Sequence, residues 1–538
     1  MEFVDEWTGR HARVLRRALR LTYEGFAEHL GTAVRTVARW NTAPDVVPIP
    51  EVQQALDTAL HRADDQAKAR FAALLTQSDP VDAAPEPAAV PAPRAPSPDL
   101  VAEAERRLSG DTQYGAALEW LDRHAGWAPG RARRQVAEVM SGLDPRELQD
   151  RGHQRARVNR KDIADALATY YADLPDGFRT YRATAAGRSV ATSLLTHPAW
   201  LDVGATLATD AEHFTLVRAV DDEGPDLDDL AASAAVRRVA EAFATSTRLV
   251  NAPLYRLTSV DVSPGRITGS MAIARFVDYA LTMDLLESEL VDATAAGRPA
   301  TPGALPLRDR YLPDATTVLD VGHRLCAGGP LALLAIARPA PRPGRRPDYL
   351  FLIQERSGRV LNAARRLAVI PKSFHGPLVD YGDDARVSAS LERELEEELF
   401  GRPEVDPVLD GPRHADPMHR SRLSAPMAWL TERAGGETWR MECTGFGLNL
   451  VSGNFEFASL IVIDDEEWWD RFGGQIEANW ESDGLRRYSS LDHGLLTELI
   501  HDPSWSNEGL FALLQGFRRL ALTGEDRVDL PTIDWETT

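Results

Sequence analysis

Cysteine is nearly absent from this chain: Cys326 and Cys443 are the two among 538 residues, and no CxxC pair occurs. A disulfide framework and a cysteine-rich zinc site are therefore excluded, and a reducing, cytoplasmic setting is the simplest expectation. Long apolar runs are also missing. None approaches the roughly 18 residues that a membrane span requires, and the opening MEFVDEWTGRHARVL lacks the charged-then-apolar order of an export signal. A soluble chain with no membrane partner is expected. Net positive charge is absent as well, since 60 Lys and Arg stand against 81 Asp and Glu, leaving -21. Phosphate binding is carried by Lys and Arg, so this balance argues at first sight against nucleic acid. What is present is 43% hydrophobic residues in a chain long enough for several domains with real cores.

The charge is unevenly distributed along the chain. Residues 1–60 hold seven arginines against eight acids, a net of -1, so -20 lies elsewhere. Those arginines are grouped at 10–20 and at Arg35 and Arg39, whereas most acids lie toward the ends, a grouping compatible with a locally positive face. The apolar spacing of 22–41, TYEGFAEHLGTAVRTVARWN, fits two short helices joined at a tight turn. Phe26, Ala27 and Leu30 share one face of the first, Thr22 is its N-cap candidate, and Gly31 supplies the residue without Cβ that a sharp turn through positive φ needs. Val37 and Trp40 are the buried pair of the second helix. Val34, Arg35, Thr36, Ala38 and Arg39 are left on its outer side, a face of the kind that enters a major groove.

On Leu21, Thr22, Phe26, Ala27, Leu30, Gly31, Val37 and Trp40, residues 8–62 resemble the helix-turn-helix DNA-binding domain of Cro and the phage repressors. The chain departs at the second cap, where Ala33 stands in place of Ser or Thr and Thr32 comes one residue early. The resemblance implies double-stranded DNA as partner, Arg35 and Arg39 toward base edges, Val34 and Thr36 on the same face, and Thr22, Tyr23 and Asn41 toward phosphates. It also implies a homodimer on a two-fold operator.

In chain order, residues 9–20 form a helix packing through Ala12, Leu15 and Leu19, with Arg16, Arg17 and Arg20 as phosphate-contact candidates. A second amphipathic helix runs from Val52 through Leu56, Leu60 and Phe71 to Leu74, closing a domain of residues 1–77. Residues 78–98 carry seven prolines among alanines and read as a semi-rigid linker. Residues 99–175 read as helices with Leu118, Trp120, Leu121, Trp127 and Val136 inside. The basic run from Arg131 to Lys161 is either a second nucleic-acid contact or, the simpler reading, a face paired with the acidic remainder. Residues 176–345 alternate extended runs (SVATSLL, FTLVRAV, GRITGSM, TTVLDV) with helices (AAVRRVAEAFATST, FVDYALTMDLLESELVDAT), an α+β domain without a catalytic motif. Arg308, Asp309, Arg310 and Tyr311 read there as a polar loop, and His323, Arg324 and Cys326 as a cluster that is structural more often than catalytic.

Residues 391–402, LERELEEELFGR, follow an apolar strand YLFLIQERSG. Glu394, Glu397 and Glu398 fall at i, i+3 and i+4, a spacing that puts their carboxylates on one helix face, where they could hold Mg²⁺. Together with Arg393 and Leu395 they resemble the second half of the Nudix box, and residues 346–525 follow that family's element order. The first half departs: the box Glu falls on Ala385, its Gly on Val379, and the terminal Gly on Phe400 with Gly401 one place late. The resemblance implies an α/β/α sandwich over 346–538. It also implies Arg393, Glu394, Glu397 and Glu398 as the working residues of an active hydrolase, with Glu394, Glu397 and Glu398 as metal ligands. A solvated surface helix is the plain alternative.

The expected architecture is multidomain: a helix-turn-helix head, a Pro/Ala linker, a helical segment, then an α+β region ending in a Nudix-like sandwich. The expected function is a DNA-binding transcriptional regulator sensing a nucleotide-like ligand. A Mg²⁺-dependent Nudix-type hydrolase with a DNA-binding head, and a protein-interaction scaffold, are the alternatives.

Overall fold

The computed structural model describes residues 7–19, 21, 23–32, 36–37, 40, 46–63, 68, 71, 97–209, 211–218, 226–357, 365–400, 418–432, 438–476 and 482–536. The chain divides into two compact units, residues 1–94 and 95–538, a division that falls inside the Pro/Ala stretch.

In the first unit, α1 (Gly9–Ala18), α2 (Tyr23–Leu30) and α3 (Pro50–Arg62) surround a core of Trp7, Ala12, Leu15, Phe26, Leu30, Val37, Trp40 and Leu56. The expected packing residues Leu19 and Leu60 are partly buried against it, and Phe71 is buried in it. The indole of Trp7 donates to Asp57 Oδ1 at 2.7 Å, tying the residues before α1 to α3. The long helix expected to reach Leu74 stops at Arg62. Ala63 turns to extended backbone, and its N–H bonds back to the carbonyls of Ala59 and Leu60. Leu74 lies outside the described residues.

The second unit combines helices with mixed sheets. Five helices lead in: α4 (Pro98–Gly110), α5 (Gly115–His124), α6 (Arg131–Gly142), α7 (Pro145–Arg157) and α8 (Arg160–Tyr170). Leu118, Trp120, Leu121 and Val136 are buried as expected, and Trp127 is half-buried beneath Arg131. The strands are β1 (Arg179–Ala185), β2 (Arg188–Thr196), β3 (Leu201–Thr206), β4 (His213–Leu216), β5 (Pro253–Ser263) and β6 (Arg266–Arg275), with α9 (Asp229–Ala244) between β4 and β5. Next come α10 (Leu285–Ala295), α11 (Pro306–Tyr311), β7 (Gly328–Arg338), β8 (Asp348–Arg356), β9 (Leu367–Val369) and α12 (Val387–Glu394). The chain ends with β10 (Trp439–Asn449), β11 (Asn454–Ile463), β12 (Ser482–Ser489), α13 (Asn507–Thr523) and β13 (Ile533–Trp535).

Among the described residues one ten-stranded sheet runs β12-β8-β7-β11-β10-β2-β1-β13, with β3 on β10 and β9 on β8; β4-β6-β5 form a small second sheet. β7 is parallel to β11, from Gly328 opposite Phe455 to Ile336 opposite Ile463, and its sequence GGPLALLAIAR carries no polar side chain before the terminal Arg338, as a strand covered on both faces requires. α13 covers one face, packing Leu510, Leu513, Leu514 and Phe517 with Leu331, Leu333, Phe351 and Leu460. Leu391 and Leu395 join the core on the other face, with Leu334, Ile336, Phe457 and Ile461.

Three sequence expectations are corrected. The division at 345/346 passes through a single sheet, because β7 before it pairs with β8 and β11 after it, and β2 and β3 pair with β10. TTVLDV is not a strand: Asp314 accepts from Thr317 N at 2.7 Å and caps a short helix, Ala315–Leu319. Residues 308–311 are not a loop. Pro306 sits in the first turn of α11, and the fully buried Arg308 donates to Leu450 O at 2.6 Å, Val451 O at 2.5 Å and Tyr171 Oη at 3.1 Å, clamping the β10–β11 hairpin.

Candidate functional site

The joint after α2 is built around Gly31, which takes φ +64. The N–H of Thr32 reaches back to Ala27 O at 2.9 Å, closing the helix in the manner of a glycine C-cap. A Cβ at Gly31 would meet nothing within 4 Å, so the glycine is there for its backbone angle and not for space. Beyond the joint Val37 and Trp40 are buried, and Trp40 meets Phe26 of α2 edge-on at 6.4 Å. Thr36 is half-buried beside them, and Tyr23 opens α2. Thr22, Val34, Arg35, Arg39 and Asn41 lie outside the described residues, as do Arg20 and Ala33. Arg16, a phosphate-contact candidate, donates to Leu21 O at 2.8 Å and braces the turn between α1 and α2.

The carboxylate helix is positioned from both ends. Glu212, just before β4, accepts from Val387 N at 2.6 Å and Ser388 N at 3.2 Å, so a side chain distant in sequence caps the N-terminus of α12. His375 lies fully buried against α12, with Nδ1 2.7 Å from Ser390 Oγ, and its Nε2 donates to Ala385 O at 3.0 Å. Burial pushes its pKa down to about 3, so the ring is neutral and Nδ1 accepts from the serine. Ala385, the position of the missing Nudix glutamate, is itself buried and its carbonyl is occupied by this histidine.

After Glu394 the helix widens into a π turn, Leu395–Leu399. The wider turn breaks the i, i+3, i+4 alignment on which the metal-site expectation rests. The glutamates are not a solvated face either: Glu394 is 8% exposed, Glu396 1%, Glu397 9% and Glu398 1%. They serve different partners. Arg393 donates to Gly376 O at 3.0 Å and to Glu394 Oε1 at 3.4 Å; Glu396 accepts from Ser424 N at 2.7 Å; Glu398 accepts from Lys372 N at 2.9 Å. Among the described residues no three Asp, Glu, His or Cys side chains are grouped to hold a metal ion. The donor set does not fit the Mg²⁺ ligands expected at Glu394, Glu397 and Glu398.

The other sequence candidates disperse. In the basic run, Arg151 pairs with Glu241, Arg155 with Asp292, Arg134 with Glu138 and Lys161 with Asp165, the structural reading of that stretch. His323 is exposed beside Asp320, whereas Arg324 donates to Val318 O and Cys326 is buried. Sequence reasoning missed a buried polar cluster. Lys372 Nζ donates to Glu508 Oε1 at 2.5 Å, Asn449 Nδ2 to Glu508 Oε2 at 3.4 Å, and Glu456 of β11 is drawn into the same charges. Its signal was there to read, because Glu456 is the one charged residue in the strand NFEFASLIVI.

Among the described residues no helix is long and apolar enough to cross a membrane. A comparison of the chain with protein-family models finds no match, and a comparison with curated proteins finds none.

Proposed function

We propose that this chain is a sequence-specific DNA-binding transcriptional regulator whose second unit carries a Nudix-like sensor for a small nucleotide-like ligand. The observation that carries the reading is the Gly31 joint, a helix ended at positive φ and followed by the buried Val37 and Trp40 against Phe26. That spacing supports a second helix presenting Val34, Arg35, Thr36 and Arg39 to a major groove, where a bidentate Arg–guanine contact contributes about 1–3 kcal/mol of discrimination. Thr22, Tyr23 and Asn41 would meet phosphates. A single small head buries too little surface for tight binding, so a homodimer on a pseudo-palindrome, with half-sites about one helical turn apart, completes the reading.

A sheet covered by helices on both faces supports the Nudix-like sensor, and the separate duties of Glu394, Glu396 and Glu398 favour ligand binding over hydrolysis. Selection of bound sequences from a random duplex pool by the full chain tests the proposal. An inverted repeat is expected, lost in the Arg35→Ala, Arg39→Ala double variant with the second unit still folded. Enrichment unaffected by the double variant would overturn the assigned face, and no enrichment would favour the scaffold reading.

A further inference from the structure

The richest unassigned feature is the polar cluster buried at the first turn of α13. Lys372 is one of three lysines in a chain whose other basic residues are arginines. Its side chain is 12% exposed, that of Glu508 5%, and the two meet at 2.5 Å. Glu456 lies opposite Gly447 of β10 and Gly329 of β7, so no neighbouring strand side chain separates it from the cluster. A Cβ at Gly329 would stand 2.0 Å from Ser373 O; the missing side chain lets the segment that carries Lys372 lie directly on β7. There Ser373 N bonds to Pro330 O and His375 N to Gly328 O.

Glu508 thus contacts the one ammonium while Glu456 and Glu287 are drawn to it by charge, and a buried ammonium cannot satisfy more than one full negative charge. Glu508 of α13 raises the affinity of Glu456 for a proton; Lys372 and Asn449 lower it. Cys326, preceding β7, feels its charge. Glu287 of α10 interacts with Lys372 and Glu508, and is itself coupled to Asp284 and Arg238; Arg366, before β9, is coupled to Glu287 and Glu508.

We infer that Glu456, Glu508 and Lys372 form a proton-dependent latch. With a proton on Glu456, the Lys372 ammonium belongs to Glu508 and holds residues 370–375 against the first turn of α13. When that proton leaves to solvent, the ammonium is drawn toward a second carboxylate and the hold on α13 weakens. Lysine suits this role because its compact ammonium turns between acceptors where a guanidinium fork would be fixed. The surroundings set the range: burial, then the charge of Glu508, push Glu456 up to about 8. Burial also opposes the charge of Glu508, but Lys372 outweighs it and holds that carboxyl below its ordinary range. Stability from the raised carboxyl is full below its ordinary value of 4.5 and lost as pH rises through about 8.

Thermal unfolding of the full chain between about pH 6 and pH 9 tests the latch, with amide exchange at Ser373 and His375 compared with the β11 amides in the same sample. In the wild type the midpoint falls across this range and the two amides open relative to β11. Glu456→Gln is expected to flatten both responses above about pH 7, while Glu456→Asp retains them. Equal slopes in the wild type and the Gln variant overturn the latch. Should the Gln variant not fold, amide exchange in the wild type decides: opening of Ser373 and His375 relative to the β11 amides between about pH 7 and pH 9 supports the latch, and protection unchanged relative to β11 overturns it.

Discussion

Gly31 shows how much one residue carries in the first unit. Its positive φ has no steric neighbour to explain it, so Gly31→Ala pays only the conformational strain of an L-residue there, about 1–2 kcal/mol. Urea unfolding of the first unit's tryptophans should read that loss, and an unchanged midpoint would mean the joint relaxes. Glu212 acts at the same scale in the second unit. Glu212→Ala leaves the buried N–H groups of Val387 and Ser388 without their acceptor, and a loss of about 2 kcal/mol in the unfolding of residues 95–538 is expected. Glu392 adds a pH signature of its own. Burial raises its carboxyl from 4.5 to about 7, so its contribution is full below 4.5 and disappears as pH passes 7. In melts between about pH 5 and pH 7, Glu392→Gln should flatten part of the decline in stability; a decline identical to wild type would remove Glu392 as its source.

Among the elements, the carboxylate helix illustrates the limit of reading spacing as geometry. The sequence LERELEEEL has the pattern of a metal-binding face, but the π turn and the partners Arg393, Ser424 and Lys372 draw its glutamates apart. Millimolar Mg²⁺ is therefore expected to leave the thermal midpoint of the full chain unchanged; a Mg²⁺-dependent rise abolished by Glu397→Gln would restore the hydrolase reading. α11 departs from expectation for a different reason. Four polar residues in a row suggest a loop, but Arg308 reaches the carbonyls of Leu450 and Val451, acceptors more than a hundred residues away. Arg308→Leu leaves those carbonyls buried without donors, at about 1–3 kcal/mol each. Equilibrium unfolding should show a clear loss, and near-wild-type stability would mean that water replaces the guanidinium.

At the scale of the whole molecule, the continuous sheet overrides the division of the C-terminal part into two domains. Residues 346–538 expressed alone lack β7, the strand between β8 and β11, and should not fold, whereas residues 95–538 should unfold in one calorimetric transition. Two separate transitions, or a folded 346–538 fragment, would restore the boundary.

The sequence by itself determined what depends on local pattern: the Pro/Ala stretch, the apolar periodicity of α1 and α2, the Gly31 turn, the apolar run of β8 and the shortage of cysteine. Helical and strand periods repeat within a few residues, and a turn glycine is dictated by its own backbone, so these are written in short windows. Only the tertiary structure decided that 176–345 and 346–538 share one sheet, that Glu212 caps a helix 175 residues away, and that Lys372, Glu456 and Glu508 meet. Strand order and the partners of buried charges are set by long-range packing and desolvation, which no local spacing encodes.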